Sequence, residues 1–348
     1  MSEHMPKRIA VLGAGAIGSS VGADLTEAGY DVTLIDQWPA QVQAMQARGL
    51  RIVMPDRELR TRVRAMHLCD LAGCDPRFDI VLMAVKSYDT RWLAQLIEPY
   101  LTPEGWFVGV QNGMNDEAIA SIVGRSRVIG CCVELSAEIF TPGIVQRNTP
   151  RTGTWFGLGE LDGRLTERVH ALETILRNAG KVSVTGNIVG AKWTKLIANT
   201  MTMGPFGLLG LKNWEAAELP GMFEISVRLG RESMAVGAAL GYRMEPIFGL
   251  LADEFAGASD EVLITAMKTL LGHVGSNSRT AVVHDNLKGR RSELEHISGL
   301  VVRKGKELGI PTPCNAAVAE IDRRIHRGEL RMEPANFELL KQLIVHSS

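Results

Sequence analysis

The 348-residue chain lacks several things, and each absence excludes a class of function. No uninterrupted apolar run reaches the roughly 18 residues that a membrane-spanning helix needs, so no membrane span is expected. Met1 to Lys7 is polar and carries no secretory apolar core. Only five cysteines occur (Cys69, Cys74, Cys131, Cys132, Cys314), with no C-x-x-C pair and no zinc-ligand spacing. An odd number of thiols without a signal peptide suits reduced cysteines, and the expected location is cytoplasmic. The eight histidines are scattered, so no metal site is expected. The formal net charge is −1, which provides no basic field for nucleic acid or an anionic membrane. Hydrophobic residues at 45% and charged residues at 22% are ordinary for a globular protein, and the length accommodates two domains.

What is present is concentrated at the start. Arg8-Ile9-Ala10-Val11-Leu12 reads as a strand, Gly13-Ala14-Gly15-Ala16-Ile17-Gly18 as a G-x-G-x-x-G turn, and Ser19 to Ala28 as a helix stopped by Gly29. Val32-Thr33-Leu34-Ile35 is a second strand ending at Asp36, 18 residues after Gly18. This context turns a weak glycine motif into a dinucleotide-binding unit. Gly13 makes the tight turn, Gly15 admits the pyrophosphate, and Gly18 lets helix and strand pack closely. The helix start, with Ala16 and Ile17, offers backbone N–H groups and a partial positive charge to phosphates. Asp36 is placed to accept hydrogen bonds from a ribose 2′-hydroxyl and to repel a 2′-phosphate, which favours NADH.

Alternating strand and helix patterns continue: a helix over 40–48, a buried strand over 79–85, a helix over 92–100, a strand over 106–110, a helix over 116–123 and a strand over 127–132. The expectation is a parallel, doubly wound α/β sheet of Rossmann type. Residues 139–159 carry glycines and short β-like pieces, read as antiparallel additions to that sheet. From Ile188 onward, 188–203, 221–240, 260–273 and 293–308 show helical periodicity. The boundary is set at 186, giving a dinucleotide-binding domain over 1–186 and a mostly α-helical substrate domain over 187–348. Residues 275–279 read as a polar turn. Apolar segments of the helical half suit either a core or a homodimer interface.

Four further motifs carry chemistry. Val85-Lys86-Ser87-Tyr88-Asp89-Thr90 and Gln111-Asn112-Gly113-Met114-Asn115 follow predicted strands, where open α/β sheets bind ligands. Each also reads as a plain solvated loop or tight turn. Lys195 and Asn199, at i and i+4, share one helix face. A partly buried lysine there can act as a proton donor, although a surface lysine is the commoner occurrence. Glu293 edges the apolar stripe Leu294, Ile297 and Val301, a position ordinarily taken by a surface acid.

In this order behind the glycine turn, and with Gly309-Ile310-Pro311-Thr312-Pro313-Cys314-Asn315 following, these motifs resemble the ketopantoate reductase (2-dehydropantoate 2-reductase) family over about residues 8–330. The resemblance implies hydride transfer from a nicotinamide cofactor, NADPH by family habit, to the keto carbon of a small 2-oxo acid in pantothenate biosynthesis. It implies that Lys195 is the general acid and that Glu293 binds a substrate hydroxyl. Asn112 and Asn199 would position substrate and cofactor, Thr280 would join the substrate set, and Lys86 would lie near the cofactor ribose or substrate carboxylate. The site would lie in the cleft between the domains. Three departures stand out. The family serine twelve residues before the glutamate is Ala281, beside Thr280. A pocket asparagine is replaced by Met203, and 248–275 is longer than usual. Fewer polar partners point to a more apolar 2-oxo acid as an alternative substrate. A dehydrogenase of 3-hydroxy acids or opines, and a non-catalytic redox sensor, are the competing readings.

Overall fold

The computed structural model describes residues 7–245, 263–264, 267–268, 271–272 and 278–346. Of the helix expected over 260–273, residues 263–264, 267–268 and 271–272 are described and are helical; the rest of it, most of the long segment 248–275 and residues 275–277 of the polar turn at 275–279 lie outside the described residues. The chain divides into two compact units, Met1–Ile188 and Val189–Ser348.

The first unit is built on an eight-stranded sheet. In spatial order its strands are Lys181–Val184, Trp155–Glu160, Val128–Glu134, Leu101–Gly109, Phe78–Met83, Arg8–Leu12, Asp31–Asp36 and Arg64–His67. The six from Val128–Glu134 to Arg64–His67 run parallel, and Trp155–Glu160 pairs antiparallel to Val128–Glu134. The central strands are almost wholly buried because helices Ala16–Glu27, Pro39–Arg48, Thr90–Ile97 and Asp116–Val123 are their crossover connections. That is why they read as continuous apolar runs. Ile9, Val11, Leu34, Ile80 and Leu82 belong to one core cluster, while Ala10, Leu12, Ile35, Val81 and Met83 belong to another. Successive side chains thus feed opposite faces of the sheet.

The sequence reading of 139–159 requires correction. Only Trp155–Glu160 joins the main sheet. Ala137–Thr141 and Ile144–Arg147 form a separate four-stranded sheet with Leu50–Val53 and Glu58–Thr61. Ile139 and Val145 are buried while their neighbours Phe140, Ile144 and Gln146 are exposed. A hairpin with one apolar face cannot sit within a layer covered on both sides. Arg51, Glu58 and Arg60 alternate with Ile52 and Leu59, so these partner strands also lack a continuous apolar run.

The second unit is helical: Ile188–Gly207, Asn213–Ala217, Met222–Ala239, Ala281–Leu287, Ser298–Leu308, Pro313–His326 and Asn336–His346. Phe206, Met222, Leu229, Val282, Leu294, Val318, Ile321 and Leu340 share one core, so Met222 and Leu229 of the apolar segments serve the interior. The helix expected from residue 293 starts only at Ser298. Leu294–His296 form one turn of 3₁₀ helix, and Ile297, at φ −113° and ψ −90°, breaks the path between them. No described helix is long and apolar enough to cross a membrane.

Candidate active site

The glycine turn is shaped by contact as well as by torsion. Gly13 has φ +95°, and a Cβ there would lie 2.7 Å from Val85 Cγ1 and 2.9 Å from the Ala84 carbonyl oxygen. At Gly18 a Cβ would lie 1.9 Å from the Gly13 carbonyl oxygen, so only glycine lets helix Ala16–Glu27 leave the strand this closely. Gly15 is the opposite case: a Cβ there would meet nothing within 4 Å. Its lack of a side chain is not required by the protein's own packing. It leaves the backbone open at the start of a helix that no side chain caps, the arrangement that receives phosphate oxygens.

Asp36 latches this loop. Its Oδ2 accepts the Ala14 N–H at 2.5 Å and its Oδ1 accepts the Trp38 N–H at 2.7 Å. Both carboxylate oxygens are therefore held by backbone donors. The Ala14 carbonyl accepts from Ser19 Oγ at 2.8 Å and Gln41 Nε2 at 3.1 Å, and Gln41 Oε1 accepts the Gly143 N–H at 2.7 Å. Through Gln41 the hairpin turn of the second sheet braces the glycine loop, a role with no local sequence signal because Gly143 lies 102 residues from Gln41.

The two loops flagged after strands are tied together. Gln111 Nε2 donates to the Val85 carbonyl at 2.8 Å and to Thr90 Oγ1 at 2.9 Å. Asn115 Nδ2 donates to Ser87 Oγ at 3.1 Å and to the Asn112 carbonyl at 2.9 Å. Gln111, Ser87 and Asn115 are buried, whereas Lys86 and Asn112 are half-buried at the loop surface. Buried amides thus hold the framework, and Lys86 and Asn112 ride on it.

In the second unit, Trp193 is buried and donates from Nε1 to the Ser233 carbonyl at 3.0 Å, while Thr200 Oγ1 and Ser233 Oγ lie 3.0 Å apart. These contacts fix one face of helix Ile188–Gly207 against Met222–Ala239, and Leu196 and Ile197 are also buried. At about 100° per residue, Lys195 and Asn199 project from the opposite side. Lys195 is half-buried and Asn199 buried. Thr280 caps helix Ala281–Leu287, its Oγ1 accepting the Val283 N–H at 3.4 Å, and Met203 packs against the apolar core.

Glu293 is buried, not a surface acid. On one side of it Ser292 Oγ donates to Asp322 Oδ1 and Oδ2 at 2.8 and 2.9 Å, and the Ser292 N–H donates to His326 Nε2 at 3.0 Å. On the other, the Leu294 N–H donates to Ser292 Oγ at 3.2 Å. Burial pushes the Asp322 carboxyl above the ordinary range, opposed by His326 and the Ser292 hydrogen bond. Burial also lowers the His296 pKa, with the Glu293 charge opposing it. The motif ending at Cys314-Asn315 is held by Glu232, whose Oε1 accepts the Cys314 N–H at 2.8 Å and whose Oε2 accepts the Asn315 N–H at 2.9 Å. Among the described residues no cluster of three or more His, Cys, Asp or Glu could hold a metal.

Residues 9–160 match the family model for ketopantoate reductase PanE/ApbA, and residues 187–326 match that of its C-terminal part. The chain belongs to the ketopantoate reductase family. It is an NAD(P)-dependent oxidoreductase. A 2-dehydropantoate 2-reductase of Archaeoglobus fulgidus is 28% identical over 325 residues, covering 92% of this chain and 99% of that one. A PanE/ApbA family ketopantoate reductase from Ralstonia eutropha is similar in structure, with a TM-score of 0.74 and 27% identity, covering 92% and 99% of the two chains. A D-mandelate dehydrogenase solved with NADH and anilino(oxo)acetate has a TM-score of 0.80 at 19% identity, covering 92% and 98%; it shares the fold.

Proposed function

We propose that this reductase converts 2-dehydropantoate (ketopantoate) to pantoate for pantothenate biosynthesis, with NADH favoured over NADPH. The observation that carries the reading is the pairing of half-buried Lys195 with buried Asn199, one turn apart on the side of their helix opposite the Trp193 anchor. The family membership gives that pair its chemistry.

The open backbone at Gly15 and the fixed carboxylate of Asp36 suit a dinucleotide, the first receiving the pyrophosphate and the second the adenosine ribose. The nicotinamide, when bound, supplies the hydride. Lys195 donates a proton to the substrate carbonyl oxygen and stabilises the negative charge that develops on it. Asn199 and Asn112 orient substrate and cofactor. Glu293 accepts a hydrogen bond from the substrate hydroxyl, Thr280 lines the same subsite, and Lys86 meets the cofactor ribose or the substrate carboxylate. Asp36 favours NADH because both its oxygens are held in place and a 2′-phosphate would meet a carboxylate that cannot swing away.

A second reading, reduction of a more apolar 2-oxo acid, rests on Ala281 and Met203. The first supplies no hydroxyl at the start of its helix, and the second is drawn into the core. The test is the steady-state oxidation of NADH and NADPH with ketopantoate, for wild type and Lys195→Ala. Loss of turnover by about 10²-fold to 10⁴-fold in the variant, with cofactor binding retained, supports the assignment. Cofactor binding without ketopantoate turnover in the wild type rejects the substrate and moves the search to other 2-oxo acids. Turnover retained in Lys195→Ala rejects the acid.

A further inference from the structure

We infer that Asp322, acting through Ser292, is a positioning residue that sets the aim of the Glu293 carboxylate and so determines discrimination for a hydroxylated substrate. The inference rests on the reading of Glu293 as the acceptor for the substrate hydroxyl.

Glu293 lies where helical order is missing. It precedes a single 3₁₀ turn, and the regular helix resumes only at Ser298. A residue in such a segment is not oriented by a backbone ladder, so its direction must be set from outside. The buried Ser292 hydroxyl supplies this. It donates a hydrogen bond to the Asp322 carboxyl group and accepts the Leu294 N–H on its own oxygen. His326, one turn after Asp322 on the same helix, accepts the Ser292 N–H. The backbone is therefore fixed immediately before and immediately after Glu293, and the His296 N–H closes the turn on the Glu293 carbonyl at 2.8 Å.

The anchor is itself held. Helix Pro313–His326 presents Asp322, and its N-terminal Cys314 and Asn315 N–H groups are clamped by Glu232 of helix Met222–Ala239. Asn315 Nδ2 adds a bond to Glu232 Oε2 at 2.8 Å. A rigid path thus runs from Glu232 through the helix to Asp322, Ser292 and the Glu293 backbone. Ser292, His326 and Asp322 do not form a hydrolase triad, because the geometry is wrong for one. Ser292 Oγ donates to the aspartate rather than to the histidine, and His326 Nε2 is occupied by the Ser292 N–H. A buried hydrogen bond of this kind orients a segment without doing chemistry.

The experiment compares ketopantoate with 3,3-dimethyl-2-oxobutanoate, which lacks the hydroxyl, in wild type, Glu293→Gln, Ser292→Ala, Ser292→Thr and Asp322→Ala. The readout is the ratio of the two kcat/KM values, with NADH affinity and thermal unfolding measured for each variant. The expected result is that Glu293→Gln lowers the ratio about tenfold or more. Ser292→Ala and Asp322→Ala lower it in the same direction, mainly through the KM for ketopantoate, and Ser292→Thr, which keeps the hydroxyl, retains it. An unchanged ratio in Ser292→Ala and Asp322→Ala beside a lowered one in Glu293→Gln overturns the positioning role. An equal fall for both substrates does the same, since it reports general loss of structure. An unchanged ratio in Glu293→Gln removes the Glu293 assignment itself, and the positioning role with it. Should Asp322→Ala fail to fold, Ser292→Ala against Ser292→Thr decides alone.

Discussion

Replacing Asp36 by alanine removes the acceptor of two backbone donors at once, and the two losses are felt differently. Ala14 is fully buried and its N–H reaches Asp36 Oδ2 at 2.5 Å. Without that oxygen a buried donor is left unmatched, at a cost of about 1–3 kcal/mol. Trp38 is only half-buried, so water can take over its N–H at smaller cost. For a unit of this size the change corresponds to a fall in Tm of about 2–12 °C. The cofactor effect is separate. A hydrogen bond from a ribose hydroxyl to a charged acceptor contributes about 1.5–3 kcal/mol, so NADH should bind about 10-fold to 150-fold more weakly. NADPH loses no such bond and is relieved of a facing carboxylate, so its affinity should hold or rise. Differential scanning calorimetry gives the first quantity and fluorescence titration of each cofactor the second. An unchanged NADH affinity would refute the ribose role. An unchanged Tm would refute the latch on the glycine loop.

The glycines of the turn should separate by cause. Gly15→Ala should fold with unaltered Tm, because a Cβ there meets nothing, yet bind either cofactor markedly more weakly; Gly18→Ala, whose Cβ would strike the Gly13 carbonyl, should be destabilised before any cofactor is added. Arg147→Ala should cost about 3–5 kcal/mol in urea unfolding, since it takes from buried Asp24 the Arg147 Nη1 donor at 2.5 Å, leaving half-buried Arg151 as its hydrogen-bonded cation, and removes the donors to the Thr149 and Ala179 carbonyls and to Thr154 Oγ1. Of the five thiols, Cys69 and Cys74 should react rapidly with a disulfide reagent in the native protein, and Cys131, Cys132 and Cys314 only on unfolding. Burial, with the Glu232 charge adding to it, pushes the Cys314 thiol up to about 12, so raising the pH from 7 to 9 should not expose its reactivity.

The Rossmann-type unit was readable because its signals are local. Ile9 to Leu12 and Ile80 to Met83 are continuous apolar runs since both faces of their sheet are covered, and the helix expected over 116–123 occupies Asp116–Val123. The second sheet was not readable: Leu50–Val53 and Glu58–Thr61 carry charges on alternate residues, and Ile144–Arg147 finds its parallel partner some ninety positions away. The burial of Glu293 escaped for a similar reason. Its neighbour Ser292 is anchored by Asp322, 30 residues on, and no spacing rule links a serine to an aspartate at that distance.

The order of amino acids by itself determined the dinucleotide-binding turn, the alternation that makes the parallel sheet and the helical character of the second unit, along with the placing of Lys195 and Asn199 on one helix face. Glycine stereochemistry, apolar periodicity and i, i+4 spacing act within a few residues and need no partner to be read. Only the tertiary structure decided that Gly15 faces open space while Gly18 faces a carbonyl. It alone tied Asp36 to the loop it latches and braced the glycine turn through Gln41 and a hairpin. It also took Glu293 out of its helix and fixed it between two anchored neighbours. Those outcomes depend on which distant groups arrive within hydrogen-bonding distance, and chain folding alone sets that.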